Sequence, residues 1–181
     1  IWDSSNIDWI ENEISLFSDK KKKGIIKMVL ESYKNNFKNR TGNIKYSIIH
    51  GDANNYNIVV NNNNIVGLLD YGDVIYAPTV CELTVALAYS LMNTNQLIER
   101  CCNMIKAYQS VYALNKDEVE SISTLICSRL LITVTMANKQ QKKYPDNKYL
   151  IISENDAWNL LFKINDISLK KLTREIVNKV L

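Results

Sequence analysis

From Pro78 to the C-terminus the chain repeats apolar residues at helical spacing, so a sheet can only come from the short stretch before it. Segments 78–92, 95–113, 117–142, 149–164 and 168–180 all carry this period. Residues 83–91 are apolar nearly all round, which predicts a buried helix. Pro78 suits a first helical turn. Asn115 or Lys116 followed by Asp117 and Glu118 gives an acidic helix start that complements the dipole. Tyr144-Pro145-Asp146-Asn147 reads as a loop.

Upstream, residues 5–17 and 20–37 read as two helices, the second with Ile25, Ile26, Val29, Leu30, Tyr33 and Phe37 on one face. Thr41-Gly42-Asn43 breaks the pattern. Short β-branched runs follow at 46–49, 58–60 and 65–69. Asn61 to Asn64 separate the last two, and asparagine tolerates the left-handed backbone of tight turns. The expected class is α+β, mainly helical, with a small central β-hairpin region. With no repeat and no linker, residues 1–181 read as one unit.

The composition, 46% hydrophobic and 23% charged, excludes a disordered chain. Lys plus Arg exceeds Asp plus Glu by 22 − 19 = 3. The one dense cationic run, Lys20 to Lys23, is the solvated start of a helix. The tyrosines do not interleave with a basic stripe, so no nucleic-acid partner is expected. No membrane partner is expected either, since no run reaches the roughly 18 apolar residues of a spanning helix and no signal peptide opens the chain. Cys81, Cys101, Cys102 and Cys127 form no CxxC and have no histidine beside them, which points to buried free thiols and a cytoplasmic location. The chain starts at Ile1 rather than Met, which suggests a piece of a longer parent or a processed form.

Polar residues concentrate where the β signal is. In His50-Gly51-Asp52-Ala53-Asn54-Asn55-Tyr56-Asn57 an apolar strand stops in a loop with one acid and several amides, and a second strand follows at once. The later strand ends in Asp70-Tyr71-Gly72-Asp73. Strand ends thus deliver three carboxylates, Asp52, Asp70 and Asp73, and the amide of Asn57. Carboxylate and amide oxygens suit a hard cation such as Mg²⁺, which takes one or two carboxylates plus substrate phosphates. Phosphoryl transfer needs such a metal set and an acid that positions and deprotonates the attacking hydroxyl. His50, the sole histidine, excludes multi-histidine metal sites.

The segments HGDANNYN and GLLDYGDV resemble the HGDxxxxN catalytic loop and following metal-binding Asp of aminoglycoside phosphotransferase and choline kinase-like small-molecule kinases, distant relatives of protein kinases. Trp2-Asp3, GDVIYAPTVCELTVALAY, the helix around Arg129 and YPDNKYLIISENDAW look like hydroxylysine kinase-type enzymes, including kinase modules fused to aminotransferases. The resemblance implies the C-terminal lobe of a protein kinase-like fold, with ATP as phosphoryl donor and Mg²⁺ as cofactor. It makes Asp52 the catalytic base, and Asn57 and Asp70 the metal ligands. It gives His50 a loop-bracing role, and has Glu82 hold the catalytic loop's backbone or cap its own helix. Asp73 is left to a second metal shell, the substrate amine or a loop cap. Arg129 reads as a buried ion-pair partner or a contact to a substrate carboxylate. Tyr149 and Trp158 read as core packing or as aromatics near a cationic amine.

The other lobe of such a kinase bears a Gly-rich loop and a phosphate-binding Lys, and neither precedes the catalytic loop here. The expected partners are that N-terminal lobe, a small amine-bearing alcohol and a possible fused aminotransferase domain. The leading expectation is an ATP-dependent kinase lobe acting on an amino alcohol or hydroxy amino acid, 5-hydroxylysine-like compounds first and aminoglycosides behind them. The lobe alone is expected to be inactive. The competing expectation is a noncatalytic kinase-like binding module.

Overall fold

The structure, a computed structural model, describes residues 2–147 and 152–181. Its axis is the helix α4, Lys116–Lys143. Asn115 caps its start through a capping box, with its side chain accepting from the Glu118 N–H and Glu118 reaching back to the Asn115 N–H. Eighteen consecutive residues of this helix are apolar enough, by length and composition, to cross a membrane, which the expectation of no such run overlooked. Of the residues in that window, 89% are instead buried inside the protein. The helices α1 (Lys20–Asn36), α2 (Val80–Leu91), α5 (Glu154–Ile167) and α6 (Leu169–Val180) all pack on it, which explains an apolar surface on every side. The helix α3, Leu97–Gln109, lies against α2 and α6. The four cysteines are buried and free, and burial pushes the Cys101 and Cys127 thiols up to about 12.

The β structure is two antiparallel ribbons, one nested in the chain between the strands of the other. The inner ribbon pairs β2 (Ile58–Asn61) with β3 (Asn64–Leu68). Asn62 and Asn63 both take positive φ at its tip, the backbone that lets a two-residue turn match the strand twist. The outer ribbon pairs β1 (Tyr46–Ile49) with β4 (Ile75–Pro78), in the register Tyr46 opposite Pro78 and Ile49 opposite Ile75. The two connections between ribbons, residues 50–57 and 69–74, therefore start and end side by side.

The strand β4 departs from the expected single hairpin region, and Pro78 closes it instead of opening a helix. A proline is tolerated there because it stands at the end of a strand in a two-stranded ribbon. Residues 5–17 also differ, forming a 3₁₀ helix at Asp8–Leu16 rather than an α-helix. Ile7 and Ile10, three apart and fully buried, fit the three-residue turn. Lys38–Asn43 is a second 3₁₀ segment where a breaker was expected. The start of α5 expected at Tyr149 lies outside the described residues.

Candidate active site

The first connection folds on its own backbone. Gly51 sits at φ +77°, and a Cβ there would come within 2.8 Å of the Asp73 carbonyl oxygen, so glycine is required. Asn54, in the middle of this loop, is buried. Its side-chain oxygen accepts from the Tyr56 N–H at 2.7 Å, and its N–H donates to the Asp52 carbonyl at 2.8 Å. This side-chain turn is the local habit of asparagine and makes Asn54 a builder of the loop.

The Asn57 amide nitrogen donates at 2.9 Å to both the Asp52 carboxylate and the Asp52 carbonyl. Asn57 Oδ1 then remains without a hydrogen bond among the described residues. The Asn57 carbonyl accepts from the Leu69 N–H at 2.8 Å, directly before Asp70. His50 makes the second stitch, with Nε2 donating to the Leu69 carbonyl at 2.9 Å and Nδ1 accepting from the Asp52 N–H at 3.2 Å. Those two bonds fix the tautomer with its proton on Nε2. Tyr71 packs edge-on against this imidazole at 5.1 Å. Glu82, on the first turn of α2, accepts from the Gly51 N–H at 3.0 Å.

Asp70 takes the left-handed conformation at φ 59° and accepts the Gly72 N–H at 3.3 Å through Oδ1. Its other carboxylate oxygen has no protein donor among the described residues. Asp73 follows in the short 3₁₀ turn Tyr71–Asp73. Among the described residues, no three His, Cys, Asp or Glu side chains group as a metal cage.

Arg129 comes from the middle of α4 and is 2% exposed. One Nη donates to Asp52 Oδ1 at 2.5 Å and to the Tyr89 hydroxyl at 3.3 Å, and the other donates to the Trp2 carbonyl at 3.2 Å. The guanidinium also faces the Trp2 ring at 4.9 Å. Asp52 is thus clamped by Arg129 on one oxygen and Asn57 on the other. Of the two readings of Arg129, the ion pair is the one seen in the structure, while its buried Nε has no hydrogen-bond partner among the described residues.

Trp158 lies elsewhere. It is 3% exposed in α5, edge-on to Phe17 at 5.7 Å and beneath the Lys22 ammonium at 4.7 Å, so it serves the core rather than a substrate amine. Tyr149 lies outside the described residues. Tyr89 and Asn54 were missed by sequence reasoning. Tyr89 carried no signal, being one more apolar position of a buried helix, whereas the position of Asn54 inside a turn was a legible cue.

The two connecting loops fall within a stretch that known proteins share. Residues 31–115 match the Phosphotransferase enzyme family. The resemblance read from HGDANNYN and GLLDYGDV lies wholly inside this match. The chain is also similar to hydroxylysine kinases, 26% identical over 94% of its length to that of Mus musculus and 23% identical over 97% to that of Bos taurus. A hydroxylysine kinase of Xenopus laevis is 23% identical over 99% of the chain. The chain spans about half the length of these relatives, 48%, 49% and 50% respectively. No solved structure matches it.

Proposed function

We propose that this chain is the catalytic lobe of an ATP- and Mg²⁺-dependent kinase that phosphorylates a hydroxyl of a small amino alcohol or hydroxy amino acid, 5-hydroxylysine-like compounds first. The observation that carries the reading is the joined set Asp52–Asn57–Asp70. One acid is clamped in place, and on the two joined loops one amide oxygen and one carboxylate oxygen are left without hydrogen-bond partners among the described residues.

Asp52 accepts the proton of the acceptor hydroxyl, and the clamp by Arg129 and Asn57 fixes where its carboxylate points. The donor set fits magnesium, because Asn57 Oδ1 and the unpaired Asp70 oxygen are hard oxygen ligands and two protein ligands suffice when phosphates and water supply the rest. A magnesium ion held there supplies charge neutralisation on the phosphates. Glu82 and His50 act at a distance, fixing the backbone at Gly51 and tying the two loops together.

The reading includes a second, nucleotide-binding lobe outside this chain. Its support is the half-length coverage of the relatives and the apolar side chains exposed on the ribbons, among them Ile48 at 75%, Ile65 at 72% and Tyr76 at 69%. Such a concentration marks a surface made to be covered.

The test is ADP release by the full-length protein with Mg·ATP and 5-hydroxylysine, homoserine, ethanolamine, choline or kanamycin. Release that depends on one acceptor supports the kinase and names its substrate class. No release with any acceptor, alongside measurable nucleotide binding, favours a noncatalytic binding module.

A further inference from the structure

Beside the loop of Asp52 lies a cavity of about 200 Å³ walled by Trp2, Asp3, Ser4, Gly51, Asp73 and Cys81, among others. A water occupies about 30 Å³ of liquid, so the space holds several non-hydrogen atoms. Its polar groups are one-sided. Among the described residues no Lys, Arg or His lines it, while Asp3 and Asp73 both do. Asp3 spends Oδ1 on the N–H and hydroxyl of Ser5, at 2.8 and 2.6 Å, which leaves Oδ2 without a hydrogen bond among the described residues. The Asp73 carboxylate has neither a hydrogen bond nor an ion pair among them.

Ser4 supplies an independent sign. It is 2% exposed, and its buried hydroxyl has no hydrogen-bond partner among the described residues. Such a group costs free energy unless something outside the protein bonds to it. Cys81 adds no charge, because burial first, and then the fields of Asp3 and Glu82, push its thiol well above the ordinary range. The negative potential of the cavity therefore comes from the two aspartates, and it wants a cationic donor.

We propose that this cavity is the subsite for an alkylammonium group of the acceptor, with Asp3 and Asp73 as its charged partners and Ser4 as a hydrogen-bond partner. The inference deepens the kinase reading and rests on it for the word acceptor. Gly51 lines the cavity and is bonded to Asp52 in the chain, so an ammonium seated there holds the rest of the molecule next to the proposed base. Fixing the far end of the substrate orients its hydroxyl.

The test is an NMR titration of the protein with 5-amino-1-pentanol and, as its neutral counterpart, 1,5-pentanediol. The amine is expected to shift the Ser4, Gly51 and Asp73 amides saturably, and the diol not to at the same concentrations. Asp73→Asn and, separately, Asp3→Asn, which keeps the turn with Ser5, are each expected to weaken the amine at least tenfold, about the worth of a charge-assisted hydrogen bond. Equal shifts by amine and diol, or amine affinity unchanged in both variants, overturn the subsite. Amine binding without any Mg·ATP turnover overturns the kinase reading and leaves the subsite standing. Turnover of an amino alcohol with the same KM in wild type and both variants does the reverse.

Discussion

The helical body and the β ribbons obey opposite rules. Along α4, residues 121–135 are buried without a break, Arg129 among them, and the helix is held from several sides. In the inner ribbon, Val60, Ile65 and Val66 are 59–72% exposed, and the two strands are held together by little beyond their own ladder. Stability is therefore concentrated in the body, whereas every residue of the proposed phosphoryl-transfer set sits on the ribbon connections. Arg129 joins the two regimes, since it grows from the most buried helix and ends on the Asp52 carboxylate.

Substitutions can break that division or sharpen it. The largest stability loss belongs to the body: Leu130→Ala, at a fully buried position of α4, is expected to cost about 3–5 kcal/mol in denaturant unfolding. A loss below about 1 kcal/mol would show that α4 is not the mechanical axis. Arg129→Met comes next, at about 3 kcal/mol, because it leaves the largely buried Asp52 charge without its partner, and it should lower turnover as well. A stable Arg129→Met protein of normal activity would separate body from site completely. Gly51→Ala is smaller, about 1–3 kcal/mol, from a positive φ and the clash with the Asp73 carbonyl. Its mark is activity lost out of proportion to stability. Ile65→Thr on the open ribbon should change stability by no more than about 0.5 kcal/mol. A large loss there would mean that the ribbon is buried by something in solution.

Much of this was legible in the residues. The apolar face of α1 and the all-round apolar run of α2 located the core, and the asparagines at 61–64 marked a turn whose two central residues carry positive φ. The two loop motifs named the residues that the backbone then joined, because a strand end next to a run of amides has few ways to fold. The strand β4 was harder to read. Ile75 and Tyr76 are β-formers, but four residues running into Pro78 and a long helix are a signal too short to separate from a helix start. The Arg129–Asp52 pair was invisible for another reason: a contact across 77 positions is decided by tertiary packing, and a lone arginine in an apolar helix announces only that it needs an acid. For Trp158 the sequence left core packing and a place near a cationic amine open, and its burial against Phe17 puts it in the core.

The central claim is that Asp52 is the base of a phosphoryl-transfer site built on two ribbon connections. The most direct measurement compares wild type and Asp52→Asn in the full-length protein, following acceptor-dependent ADP release and Mg·ATP affinity in parallel. The account predicts turnover lower by about a hundredfold or more, the worth of a positioned base, with nucleotide affinity within about twofold. Wild-type turnover in Asp52→Asn would contradict it.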